Sequence, residues 1–204
     1  MTWGITRKDM NKNGSNEMST RDQILGKSRE LFHEKSFSDV SINDIVTALS
    51  ITKPTLYYYF GSKENLYTET VLDIMRLAHQ QLAGNVKVTN SLERNLTAIA
   101  QTYFQSEPPG LCRLLCEAEH HLSQPNVKKI QEAYQYLVLS PIKDMFTEAI
   151  KSREIADYEP MKLATLYMIL LEVFNSKPCM LGTMEPLEKT KLLTHLMFYG
   201  LYTR

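Results

Sequence analysis

Three helix-start signals crowd into the stretch from Ser19 to Pro54, and that crowding constrains the fold more than any other feature of the chain. Ser19 stands three residues before Asp22, and Ser41 three before Asp44, so in each pair a hydroxyl can accept from an early helical N–H. Thr52 opens the third start, with Pro54 in a first turn where a missing N–H costs nothing. Apolar residues at helical spacing follow each signal: Ile24, Leu25, Leu31 and Phe32; then Ile42, Ile45, Val46 and Leu49; then Leu56 and Phe60. Phe37 and Val40 fall in the first link, and a four-residue turn, Ser50 to Lys53, joins the second helix to the third. Gly61 closes the third helix, and Ser62 opens a longer one running through Leu66, Ile74 and Met75 towards Gly84. Three short helices with so tight a corner make a helix-turn-helix.

No strand-like alternation interrupts the remainder. Helices are expected near Leu92–Phe104, Leu111–His121, Val127–Ile150, Met161–Phe174 and Leu187–Tyr202, with breaks at Pro108-Pro109-Gly110, Pro125, Pro160 and Pro178. The expectation is an all-α protein of about nine helices. Residues 1–18 are polar and without period, and read as a flexible arm; Met10 and Met18 are alternative starts. Such an arm is either dispensable or a basic strand for the minor groove.

Composition excludes more than it selects. The longest apolar run falls short of the roughly 18 residues of a membrane span. The N-terminus lacks the apolar stretch of a signal peptide, so a cytoplasmic protein with no membrane partner is expected. Three cysteines, Cys112, Cys116 and Cys179, suit reduced and mostly buried thiols better than a disulfide framework. Net charge is zero, with +2 on residues 1–63 and −2 on the rest, an asymmetry too small to decide for or against nucleic acid. There is no nucleophile elbow, glycine-rich phosphate loop or metal signature, so neither an enzyme nor a cofactor nor a resident metal is expected.

The third helix carries the chemistry. It opens with Thr52, Lys53, Pro54 and Thr55, continues with Tyr57, Tyr58 and Tyr59, and is followed by Lys63 at the head of the next helix. With Leu56 and Phe60 facing inward, Tyr58 and then Thr55 lie opposite, flanked by Tyr57 and Tyr59. Tyrosines suit a surface that meets phosphates and thymine methyls, because each joins an apolar ring to a donor hydroxyl. The run from Thr52 through Tyr57-Tyr58-Tyr59-Phe60-Gly61-Ser62-Lys63 to Leu66 resembles the signature of the TetR family, and Phe37, Val40, Ile42, Ile45, Val46 and Leu49 resemble its first two helices. The likeness is strong over about residues 20–80. It implies that Thr55, Tyr57 and Lys63 contact phosphates, that Lys53, Thr55 and Tyr59 lie nearest the base edges, and that Ser41 and Asn43 hold the flanking backbone. Tyr59 stands where many members have histidine.

The same resemblance divides the chain into a DNA-binding head, 19–65, and a ligand-binding and dimerisation domain, 66–204. It implies a homodimer on a palindromic operator, a repressor released when a small effector tilts the connecting helix from Ser62 to about Ala83. Corepression or activation would need no different sequence. Two apolar stripes offer the dimer interface: Leu163, Leu166, Tyr167, Leu170 and Phe174, then Leu193, Leu196, Met197 and Gly200. Helices this broadly apolar are buried on more than one face. Expected pocket residues are Tyr103, Phe104, Cys112, Cys116, His120, Tyr134, Phe146 and Met168, which point to a hydrophobic effector. Cys112, Cys116 and His120 share one helical face, so a redox- or metal-sensing regulator is the alternative to buried thiols.

Overall fold

The computed structural model describes residues 19–85, 91–106, 110–175 and 184–200. They form α1 (Thr20–Glu34), α2 (Ile42–Ala48), α3 (Lys53–Phe60), α4 (Lys63–Asn85), α5 (Leu92–Ser106), α6 (Leu111–His121), α7 (Gln124–Tyr134), α8 (Ser140–Lys151), α9 (Pro160–Asn175) and α10 (Pro186–Phe198). A π-helical turn, Gln135–Leu139, joins α7 to α8, so the described residues make nine helical rods and no strand. The arm expected at 1–18, Cys179 and the last residues of the expected C-terminal helix lie outside the described residues.

The helix starts form for the reasons their residues give. Ser19 Oγ accepts from the Asp22 N–H at 3.2 Å, and Thr52 Oγ1 from the Thr55 N–H at 3.3 Å. Ser41 and Asp44 complete a reciprocal capping box, and Ser62 Oγ accepts from the Asn65 N–H at 3.0 Å. Gly61 ends α3 at φ 72°, where a Cβ would find ordinary room beside Asn65 but the backbone would be strained. Gly61→Ala is therefore expected to cost about 1–2 kcal/mol, read as a lower urea midpoint at unchanged m-value.

The single helix expected over Val127–Ile150 is interrupted. Pro141 has no N–H to give the carbonyl of Leu137 four residues earlier, and the ladder widens into the π turn just before it. The freed Leu137 carbonyl is taken by His79 Nδ1 of α4 at 2.9 Å, so the ring carries its proton on that nitrogen.

One continuous apolar core runs from Ile24 on α1 to Leu193 on α10. At its head end Tyr67 of α4 meets Phe32 and Phe37 edge-on, with ring centroids 4.8 and 5.1 Å away. Arg21–Glu69 and Arg29–Asp73 also link α1 to α4, but partly exposed pairs of this kind contribute at most about 1 kcal/mol, so packing holds the junction.

Helix α9 corrects part of the expected dimer stripe. Tyr167 is buried, its hydroxyl donating to the Leu96 carbonyl at 2.5 Å, and Phe174 is buried against Phe104. Leu163 and Leu170 are half-buried. The outward residues are Leu166, Ile169 and Val173, at 50%, 47% and 47% exposure. On α10, Leu193 is buried, Leu196 and Met197 are half-buried, and Leu187 faces solvent. Gly200 follows at φ 69°. The physical reason is that a helix apolar all round gives no sign of which sector faces its own core.

Candidate nucleic-acid interface and effector cavity

Helix α3 turns Leu56 and Phe60 into the core and its polar groups outward. Tyr58 is 83% exposed, Tyr57 43% and Tyr59 40%, the order that the helical wheel gives. Lys53 is exposed at the first turn, and Asn43 on α2 is exposed as well. Thr55 is less available, since its hydroxyl lies 2.8 Å from that of Thr52. Ser41 is engaged too: its hydroxyl and its N–H both donate to Asp44 at 2.8 Å. Tyr59 sits edge-on to Tyr58 and lines a polar crevice with Arg21, Asn65 and Lys129. The open face is therefore Lys53, Tyr57, Tyr58 and Asn43, a surface of O–H and N–H donors with apolar rings that fits a groove and its phosphate walls.

Lys63 begins α4 with its ammonium 4.4 Å from the centroid of the Phe37 ring. Burial lowers its pKa from the ordinary lysine value, against the opposing pull of Asp39 and Asp44. An amine held on an aromatic face at a helix N-terminus is chemically suited to donate to a phosphate. Lys63→Ala is expected to weaken binding to all DNA about equally and to reduce the salt slope by about one unit. Titrations at several salt concentrations check this, and an unchanged slope with full affinity would refute the role.

Behind the head, α6 holds the end of α1. Arg113 donates to the carbonyls of Phe32 at 2.6 Å and His33 at 3.2 Å, which are orphan acceptors of the last turn. It also pairs with Glu117 at 2.8 Å. Glu117 in turn accepts from the Phe37 N–H at 3.0 Å and from the Tyr67 hydroxyl at 3.2 Å. Further along, Glu64 of α4 accepts from the Ser123 hydroxyl, from Asn126 Nδ2 and from the Ser123 N–H, the last two at 2.7 Å, and these bonds hold its pKa below the usual carboxylate range. Apart from the Arg113–Glu117 pair within α6, these contacts join residues tens of positions apart, which no local pattern in the sequence marks.

Helices α1, α4, α5 and α9, the start of α6 and the π turn line a mostly apolar cavity of about 240 Å³ that opens to solvent beside His33, Leu77 and Gln81. Of the expected pocket residues, Tyr103 and Met168 line it. Phe104 and Phe146 are buried in the core. Tyr134 and Cys112 are half-buried near Glu172, while Cys116 and His120 are exposed on the outside of α6, with His120 Nδ1 donating to the Cys116 carbonyl. Burial, then the Glu172 and Cys116 charges, push the Cys112 thiol up to about 11, which keeps it protonated and poorly nucleophilic at neutral pH. Among the described residues no group of three or more His, Cys, Asp or Glu is placed to hold a metal. A larger cavity of about 550 Å³ lies between α4 and α8, but Asp144, Glu148 and Glu154 rim it, so it suits water better than an apolar ligand.

Glu172 of α9 lies behind the cavity residues Tyr103 and Leu111. It accepts from the Tyr103 hydroxyl at 2.7 Å and from the Leu111 N–H at 2.8 Å, capping the first turn of α6. Burial holds its pKa above the usual carboxylate range, despite those bonds and Arg113. A carboxyl whose folded pKa is raised stabilises the fold below its unfolded value, near 4.3, and that contribution is lost as pH rises through the folded value. The stability of the wild type minus that of Glu172→Gln is thus expected to fall as pH rises above the unfolded carboxyl range in urea titrations; a difference flat or rising with pH would contradict the assignment.

Residues 24–70 match the family model of bacterial regulatory proteins of the tetR family. The chain is 26% identical over 144 residues to the transcriptional repressor BdcR of Escherichia coli, a match spanning 69% of this chain and 72% of that one. It is 35% identical over 51 residues to IcaR of Staphylococcus aureus, the negative regulator of a biofilm operon, covering 25% of this chain and 27% of that protein. The structure of AibR, solved with isovaleryl coenzyme A and operator DNA, superposes with a TM-score of 0.70 at 18% identity, over 89% of this chain and 99% of that one. The matched segment is the three-helix head and the start of α4, so residues 24–70 form a helix-turn-helix domain of the tetR-family type, and the fold of most of the chain is shared with such regulators.

Proposed function

We propose that the protein is a repressor that grips a palindromic operator as a homodimer and releases it when a small apolar effector enters the cavity beneath α1. Residues 19–65 act as the reading head and 66–204 as the effector and dimerisation body, and the protein works in the cytoplasm without catalysing a reaction. The observation that carries this reading is that Arg29 and His33, which belong to the head, line the same cavity as Ile99, Met168 and Leu171 of the body. An effector there touches both parts at once. Any ligand that fits the cavity better with α1 displaced shifts the head away from its DNA-bound placement, by about 1–3 kcal/mol for typical coupling. Arg113 and Glu117 bind α6 to the end of α1, so a shift at the cavity wall reaches the helix-turn-helix through hydrogen bonds already made. BdcR is named a repressor and IcaR a negative regulator, and AibR was solved with both an acyl thioester and its operator, which supports the reading by likeness.

Selection of genomic fragments by the purified protein, followed by footprinting at defined salt, tests it. The expected result is a short palindrome with half-sites about 34–36 Å apart. Folded, dimeric protein that enriches no sequence, with or without apolar ligands, would overturn it.

A further inference from the structure

Resting on that reading of the cavity, we infer that the effector is a small apolar carboxylic acid whose carboxylate is received by Arg29 and His33 at the end formed by α1. The cavity walls from α4, α5 and α9 are mostly hydrocarbon, with Ile74, Leu82, Ile99 and Leu171 among them and Gln81 and Thr102 as uncharged polar groups. At about 240 Å³ it is smaller than the roughly 300–1,000 Å³ of most ligand sites, so the occupant is small. Its polarity is not evenly distributed. On the wall at α6 the Tyr103 hydroxyl donates to Glu172, which the Leu111 N–H also engages, so the polar groups there are bonded to one another. Arg29 and His33 stand one turn apart on the same face of α1 and bring together the one guanidinium and the one imidazole among the described residues that line the cavity.

Arg29 has capacity to spare. One nitrogen of its guanidinium is paired with Asp73 of α4, and a guanidinium carries five N–H donors in a planar fork suited to a carboxylate. The pair is part-exposed, so a second carboxylate can approach without a large desolvation cost. A monoanion that displaces Asp73 is what the one charge of Arg29 can balance, whereas a dianion would be left half uncompensated. An apolar cation would meet Arg29 as a like charge. A ligand acid then competes with Asp73 for the arginine that ties α1 to α4, and this is where binding acts on the head.

Calorimetric titration of the full chain with octanoate, 1-octanol and octylamine, all of one chain length, tests the inference. Octanoate is expected to bind at least about tenfold more tightly than octanol, with octylamine weakest. In Arg29→Met the octanoate-to-octanol affinity ratio is expected to collapse towards one, and in Asp73→Asn it is expected to rise because the arginine is freed. Octanol binding as tightly as octanoate in the wild type, or an acid preference that survives Arg29→Met, would overturn this inference and leave the cavity reading standing. Binding of none of the three would overturn the cavity reading together with it.

Discussion

Ile169→Asp combined with Val173→Asp is expected to convert the protein to a monomer and to weaken operator binding by at least about a hundredfold, through residues on α9 rather than on the reading head. Leu166, Ile169 and Val173 follow one another at spacings of three and four, so they form one line along the outer side of α9. Each is about half exposed, and an aligned apolar row of this kind marks a surface that a partner covers. Carboxylates on it would be buried unpaired in a dimer, at a cost that exceeds what a standard interface holds in reserve. In a monomer the same carboxylates would sit in water at little cost, so helical content is expected to be unchanged by circular dichroism. The loss at the operator follows from geometry: two heads joined by an interface bind the second half-site at a high effective concentration, and separated heads do not. Light scattering across a concentration series and anisotropy titration at fixed salt measure both effects. A variant that stays dimeric, or a wild type whose mass is that of a monomer at every concentration, would place the interface elsewhere.

The head was legible because its signals are local. Ser19, Ser41 and Thr52 cap the helices they were expected to cap, and the wheel ranked Tyr58 as the most outward residue of α3. Capping and periodicity depend on residues three or four apart, which a sequence displays directly. The expected stripe on α9 went partly astray for the opposite reason. Tyr167 and Phe174 are apolar in the same way as Ile169 and Val173, and only the position of α5 decides which pair is inside. The cavity was harder still, since its walls come from helices far apart in the chain and only Tyr103 and Met168 were named in advance. Nothing local marks Arg29 and His33 as cavity residues, because the caps and period of α1 assign it wholly to the head. Pro141 did carry a readable warning: a proline in the middle of an apolar helical run removes an N–H, and the π turn is the consequence.

The junction between head and body answers most strongly to Tyr67. This residue is fully buried, touches Phe32 and Phe37 edge-on, and donates from its hydroxyl to Glu117 and to the Leu114 carbonyl at 3.1 Å. Tyr67→Ala removes the ring that three segments share and is expected to cost about 3–5 kcal/mol. For a chain of this size that lowers the melting temperature by roughly 6–20 °C. Tyr67→Phe keeps the ring and leaves Glu117 and the Leu114 carbonyl each short of a donor, so a loss of about 1–3 kcal/mol is expected. The two variants separate packing from signalling. If Glu117 carries the effect of the cavity to Phe37, then Tyr67→Phe, still folded at the working temperature, is expected to bind operator while responding less to effector. Its response is read as the ratio of operator affinities with and without ligand. A ratio equal to that of the wild type would assign Tyr67 to stability alone and leave the coupling to Arg113 and the Arg29–Asp73 pair.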